Sequence, residues 1–439
     1  MKISHFLETV ITQIRSREAK EYVKTELSQH IQKSKQSWLE RGYSELQAEE
    51  KAVREMGSPL TLGKSLNKLH KPKIDWLLVS LLSVTLLLSF LPIIALNLEQ
   101  YLETANLNMT TMLQNKVISI IIGFLLAIVI MFIDYRKLKR MGYLFYAAGA
   151  GLIYVLTVFS NKVVNGELMI SFGIFDVQVW MAIPLFLLAW ASLLSTSSFK
   201  LWQGAILFLF SVFLFGLVPN LSMLFIYIAI VGVLFLLSNF TRKEKLLVSG
   251  SVIGLAIGII ILYVVAYKNG SIAPYQISRL LGFINPEEYA TGSGYIYVTL
   301  ENALKSAGLF GAENVKYIPE AHTTLVFGSL IQTYGYAIGM VIMMILLAFL
   351  VRFWLISRTV KESFGKLLII GCATLFSTQL FYNVGMTFGM LPISSMPLPF
   401  MSYGLMPTVL NAFIVGVALS VYRRKHFSSK IIYGSTRYE

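Results

Sequence analysis

YKNGSIAPYQISRLLGFINPEEYATGSGYIYVTLENALKSAGLFGAENVKYIPEAHTT, Tyr267–Thr324, separates two apolar runs, 246–266 and 325–351, that are each long enough to cross a bilayer. The stretch is rich in Gly, Pro, Asn, Glu and Tyr and is not itself a span. Connections of this length between elements are uncommon and usually functional. Outside the N-terminus it is the largest polar segment of a chain of 439 residues, 56% of them apolar, with a mean hydropathy of +0.67. Only 14% of the residues are charged, against about 25% in soluble domains. The apolar runs are continuous rather than alternating, which excludes the β-barrel pattern. An all-α polytopic membrane protein follows.

Working outward, ten spans are expected: 75–97, 116–134, 141–160, 177–195, 201–218, 221–239, 246–266, 325–351, 366–388 and 403–422. The large loop, 268–324, then lies between the seventh and eighth. With the N-terminus in the cytoplasm, 31 of the 37 Lys and Arg fall on the cytoplasmic side, as the positive-inside rule requires. The exceptions are Lys116, Lys162, Lys268, Arg279, Lys305 and Lys316. Both termini are therefore expected inside, and the large loop and 98–114 outside. The same asymmetry accounts for the net charge of +14 without nucleic acid. The first thirty residues are charged and lack the apolar core of a cleavable signal.

Residues 1–73 form a cytoplasmic helical prefix ahead of the membrane domain, 74–425, and a cytoplasmic tail, 426–439. Apolar residues recur at helical spacing in 5–14 and 18–38. Ser44 and Gln47 have capping-box spacing, opening a helix expected to bury Leu46, Ala52, Val53 and Met56 and to stop at Gly57. The run GYSELQAEEKAVREMGSP resembles the small helical domain that precedes some bacterial permeases.

Chemistry-bearing residues are sparse. The single cysteine, Cys372, precludes an intrachain disulfide, and the five His have no ligand-like spacing. Charge within the spans is nearly absent, which argues against a proton-coupled transporter. Two segments stand out. Pro319-Glu320-Ala321-His322-Thr323-Thr324 places an acid and an imidazole where the chain enters the membrane, suited to accept a proton or to anchor a metal-bound pyrophosphate. Asn383–Gly404, NVGMTFGMLPISSMPLPFMSYG, carries three Pro and three Gly between two spans and reads as an irregular outer hairpin, tolerated at membrane depth only where it is buried or lines a cavity.

Together these segments resemble the SEDS family of bacterial cell-wall proteins, which includes FtsW, RodA and SpoVE. The resemblance rests on Asn383-Val384-Gly385, Gly389-Met390-Leu391-Pro392 and Leu398-Pro399-Phe400-Met401-Ser402-Tyr403-Gly404. It extends to Arg279-Leu280, Phe283-Ile284-Asn285-Pro286, Gly292-Ser293-Gly294-Tyr295, Gly308-Leu309-Phe310-Gly311 and Pro319-Glu320-Ala321-His322-Thr323, with Gly173 and Gln178 at the start of the fourth span. It implies a multi-pass protein of the bacterial cytoplasmic membrane, serving peptidoglycan synthesis, cell shape or division. Such a protein polymerises lipid II at the outer face beside a class B penicillin-binding protein. Substrate contacts would fall on Arg279, Gln178, Pro392, Ser402 and Tyr403. No resident cofactor is implied, although a divalent metal would accompany an active site.

The chain departs from the family where charge matters. The family motif His-Thr-Asp-Phe carries the catalytic acid, and here that position is Thr324, followed by Leu325. The family's Gln-Pro-Ser-Glu-x-x-Lys appears as Gln178-Val179-Trp180-Met181, with Pro184 at the Lys position, and Pro-Asp-Leu-Gly-Thr appears as Pro219-Asn220-Leu221-Ser222-Met223. Glu320 and His322 are the nearest substitute acid and base. Three readings follow: a non-catalytic or regulatory binder of lipid-linked precursor, a glycosyltransferase using another acid, and a flippase for that precursor.

Overall fold

The structure is a computed structural model and describes residues 2–15, 17–69, 72–96, 108–164, 167–172, 175–269 and 274–425. The chain divides into two compact units, Met1–Asp75 with Tyr422–Glu439, and Trp76–Val421.

The first unit contains four prefix helices, Ile3–Thr12, Arg17–Glu40, Glu45–Glu55 and Pro59–Leu69. Their apolar stripes meet in a core that includes Phe6, Val10, Val23, Leu27, Ile31, Ala52 and Val53. Gln47 Oε1 accepts from the Ser44 N–H at 3.3 Å, closing the expected box. The helix gives way at Gly57, whose φ of +75° a side chain would resist. Pro59 then opens the next helix, where its missing N–H costs nothing. Leu46 is not part of the core: it is 81% exposed, because the stripe runs through Ala48, Ala52 and Val53.

In the second unit each of the ten expected ranges falls on a helix. Among the described residues six helices are long and apolar enough to cross a membrane, and three apolar helices are shorter: Val179–Leu194, Leu201–Gly216 and Leu221–Leu237. The helix Ala182–Leu194 is buried on nearly every side, so its all-round apolarity reflects a central position. Gly142–Phe159 and Leu221–Leu237 pack on it. Phe186, Phe215 and Tyr227 interlock there, and Trp190 Nε1 donates to Tyr227 Oη at 3.0 Å, so the buried polar atoms are satisfied. Pro184 is only the third residue of that helix, where it displaces no hydrogen bond. Pro92 coincides with the division of the first span into Trp76–Leu88 and Leu91–Ala95.

Four features differ from the sequence expectation. The fourth range, 177–195, starts as strand: β1 (Lys162–Val164), β2 (Glu167–Phe172) and β3 (Phe175–Gln178) form an antiparallel sheet in the order β1-β2-β3, with Met169 opposite both Lys162 and Gln178. The second span begins at Met109 rather than 116, because the Asn108 side chain caps it by accepting from Thr111 N at 3.1 Å. Lys116 therefore lies inside that helix, 1% exposed, and donates from Nζ to Phe400 O at 3.3 Å. Charge within the spans is consequently not confined to their ends.

The large loop is folded, with helices Pro274–Ile284 and Tyr295–Ser306. Finally, the helix Val326–Thr359 is broken at Gly335, with φ 85° and ψ 171°. The Gly308–Gly311 turn fills the break. Tyr336 N donates to Gly308 O at 3.2 Å, Ala337 N to Leu309 O at 3.1 Å, and Ala312 N to Gln332 O at 2.8 Å. Gly173, 98–107 and the tail, 426–439, lie outside the described residues.

Candidate functional site

The two segments singled out from sequence meet. Three consecutive carbonyls of the Pro319–Thr324 turn are each bound from the 383–404 hairpin or the helix leading into it. His322 O accepts from Tyr403 N at 2.7 Å, Thr323 O from Ser402 Oγ at 2.6 Å, and Thr324 O from Asn383 Nδ2 at 2.9 Å. Asn383 Nδ2 also reaches Met396 O at 2.7 Å, and Ser402 Oγ accepts from Leu398 N at 2.9 Å. Asn383 and Ser402 are buried. The hairpin is irregular, as its Pro and Gly content requires: helix ends at Thr387, resumes at Leu405, and Gly389 and Gly404 take positive φ between them.

Phe400 also has positive φ, +61°, which costs a non-glycine residue about 1–3 kcal/mol. Its buried ring packs against Phe349 and Phe376, and the Lys116 ammonium binds its carbonyl, which together hold the turn. Glu320, at φ +49°, starts the other turn, and its carbonyl accepts from Thr323 N and Leu325 N.

Between these segments and the sheet lies a cavity of about 570 Å³. Gln178, Glu320, His322, Thr324, Ser402 and Tyr403 all line it. Pro392 does not; its carbonyl accepts from Tyr382 Oη at 3.1 Å, on the helix that leads into the hairpin. Arg279 sits on the helix Pro274–Ile284, and its side chain lies outside the described residues.

Sequence reasoning missed the contribution of the sheet. Lys162, Glu167, Asp176 and Trp180 line the same cavity. Lys162 and Asp176 pair at 3.3 Å, and hydrogen bonding from Ser171 and from Lys162 holds the Asp176 carboxyl low. Trp180 Nε1 donates to Glu167 Oε1 at 2.8 Å. Burial pushes the Glu167 carboxyl above its ordinary range, against the Trp180 hydrogen bond, and the charge of Glu320 pushes it further in the same direction. Burial also holds the His322 imidazole below its ordinary value, with the charge of Glu320 opposing; the ring lies edge-on to Tyr403 with centroids 5.7 Å apart. With Lys162 and Asp176 cancelling, the carboxylates Glu167 and Glu320 dominate the cavity. Such a lining accepts hydrogen bonds from hydroxyl and amide groups. Among the described residues no group of three or more His, Cys, Asp or Glu is arranged to hold a metal ion.

Residues 75–426 match the family model for FtsW, RodA and SpoVE, described as cell cycle protein. The chain is 30% identical over 303 residues to a probable peptidoglycan glycosyltransferase FtsW of Coxiella burnetii, covering 64% of this chain and 77% of that one. It is 30% identical over 161 residues to stage V sporulation protein E of Bacillus subtilis, and 28% identical over 167 residues to the peptidoglycan glycosyltransferase MrdB of Escherichia coli K12. These two matches cover 35% and 36% of this chain, and 44% and 45% of the relatives.

Among solved structures, a chain of a peptidoglycan synthase complex superposes with a TM-score of 0.66 at 22% identity, covering 80% of this chain and 98% of that one. The rod shape determining protein RodA of Thermus thermophilus gives 0.56 at 21%, covering 80% and 97%. These likenesses concern the fold. The family match covers the whole membrane unit and both segments that build the cavity: the chain belongs to the FtsW/RodA/SpoVE (SEDS) family of bacterial cell-wall membrane proteins.

Proposed function

We propose that this chain binds lipid-linked peptidoglycan precursor, lipid II, in the cavity at the outer face of the cytoplasmic membrane, and that it does so without the family's usual polymerisation. In this reading ten helices cross the membrane, both termini are cytoplasmic, and a class B penicillin-binding protein is the partner. The observation that carries it is the convergence of Gln178, Glu320, His322, Thr324, Ser402 and Tyr403 on one cavity. The framework of that cavity is built from backbone carbonyls held by Tyr403, Ser402 and Asn383. Thr324 lines it where the family motif has its acid, and a hydroxyl cannot take the proton of an attacking sugar hydroxyl at neutral pH.

One specific observation favours a second reading, a glycosyltransferase using another acid: Glu167 and Glu320 both line the cavity. The first reading is tested by binding. The full chain in lipid nanodiscs is expected to bind fluorescent lipid II saturably, and Ser402→Ala together with Tyr403→Ala is expected to weaken it. The absence of saturable binding by a folded wild-type chain would overturn the reading.

A further inference from the structure

Glu167 comes from the sheet rather than from either segment that carries the family resemblance. It lies on β2, opposite Val164 of β1, and lines the cavity, and the indole of Trp180 fixes one of its oxygens at 2.8 Å. Trp180 is itself 6% exposed, so that oxygen is held by a nearly immobile donor. A carboxylate has about four lone-pair sites, and the indole uses one. The rest remain available toward the cavity that Glu167 lines. The other charged or titratable groups around it are Lys162, Asp176, Glu320, His322 and Tyr403. Lys162 is engaged with Asp176, and burial disfavours the charged form of His322.

The lysine of this lining, Lys162, is paired with Asp176, so the lining suits the sugar of the precursor better than its diphosphate. It is well matched to a sugar, whose hydroxyl and amide hydrogens need acceptors. An indole wall beside a carboxylate adds an apolar surface for the sugar's C–H face.

We propose that Glu167 is the specificity-determining residue of this cavity: its Trp180-anchored carboxylate receives the hydroxyl groups of the ligand's sugar, and so discriminates a sugar-bearing polyprenyl diphosphate from the bare lipid. This rests on the reading of the cavity as a precursor site. The charged carboxylate is the better acceptor, and Glu320 opposes its ionisation, so the discrimination grows as pH rises through the raised range of Glu167. Removing the charge of Glu320 therefore moves that rise to lower pH.

The experiment measures binding of lipid II and of sugar-free polyprenyl diphosphate to the full chain in nanodiscs across pH, for wild type, Glu167→Gln and Glu320→Gln. Wild type is expected to prefer lipid II by about tenfold or more, the scale of one hydrogen bond to a charged group. Glu167→Gln keeps the acceptor for Trp180 but is expected to lose most of this preference and its pH dependence. Glu320→Gln is expected to keep a preference whose midpoint lies at lower pH, and this tests the proposal even if Glu167→Gln does not fold. Equal binding of both lipids by wild type, or a preference that Glu167→Gln leaves intact, or a midpoint unmoved in Glu320→Gln, overturns the role of Glu167 while the precursor site stands. Failure of wild type to bind either lipid overturns both.

Discussion

Replacing Asn383 by Leu, which keeps the number and branching of the side-chain heavy atoms, tests the framework of the cavity. The side chain is fully buried, and its Nδ2 supplies the hydrogen bonds to Thr324 O at 2.9 Å and Met396 O at 2.7 Å. Leucine fills the space but leaves both carbonyls without that donor. An unsatisfied buried group costs about 1–3 kcal/mol. Thr324 borders the cavity, where water can reach its carbonyl, so its share falls at the low end; Met396 is buried and takes more. Asn383 Oδ1 has no partner among the described residues, and its removal returns part of the cost. The sum is a loss of about 2–4 kcal/mol, a large part of the roughly 5–15 kcal/mol that holds a typical domain folded.

The assay is the unfolding midpoint of the purified chain in nanodiscs, with Ser402→Ala and the double substitution completing a cycle. Because Ser402 holds the adjoining carbonyl of Thr323, the two changes are expected to be non-additive. If Asn383→Leu unfolds within error of wild type, or if the two effects add, these hydrogen bonds do not hold the turn to the hairpin.

Three further outcomes follow from other parts of the molecule. Gly335→Ala is expected to cost at least about 1–3 kcal/mol for backbone strain alone, since a Cβ there would also run into the backbone of Leu309 and Gly311; an unfolding midpoint equal to wild type would show the break to be dispensable. Cysteine placed at Gly292 is expected to react with an impermeant reagent in intact cells, and labelling only after permeabilisation would invert the proposed orientation. Glu167 has a folded-state carboxyl raised above its unfolded value, so its stabilising contribution is full below the ordinary carboxylate range and is lost as pH rises through the raised one. Glu167→Gln is therefore expected to match wild type in stability at acid pH and to gain on it as pH rises; a gap that stays constant with pH would refute this.

Much of this was legible in the sequence, for identifiable reasons. Long apolar runs located the helices because membrane burial leaves few alternatives for the backbone. The clustered Pro and Gly of 383–404 announced an irregular hairpin because those residues disfavour a helix locally. Features that depend on distant partners were not legible. Met109–Gln114 reads as polar loop until Asn108 is seen to cap it, which hid Lys116 inside a helix. A single Gly335 in an apolar run reads as helix, since the turn that fills the break lies some 25 residues earlier. The sheet escaped because β3 abuts an apolar helix, so Val177 and Gln178 were absorbed into the fourth span. With the sheet went Glu167, a cavity acid beside the short apolar run Leu168–Ile170, which is too brief to tell strand from helix.

The most direct measurement of the central claim is glycan formation by the purified full chain in proteoliposomes supplied with lipid II, with bound lipid II read on the same sample. The account predicts saturable binding and little or no glycan chain from wild type, with Thr324→Asp as the variant that restores an acid at the family position. Robust wild-type polymerisation would contradict it: lost in Glu320→Ala or Glu167→Gln, it would assign catalysis to that carboxylate, and insensitive to both and to Thr324→Asp, it would place the active site elsewhere.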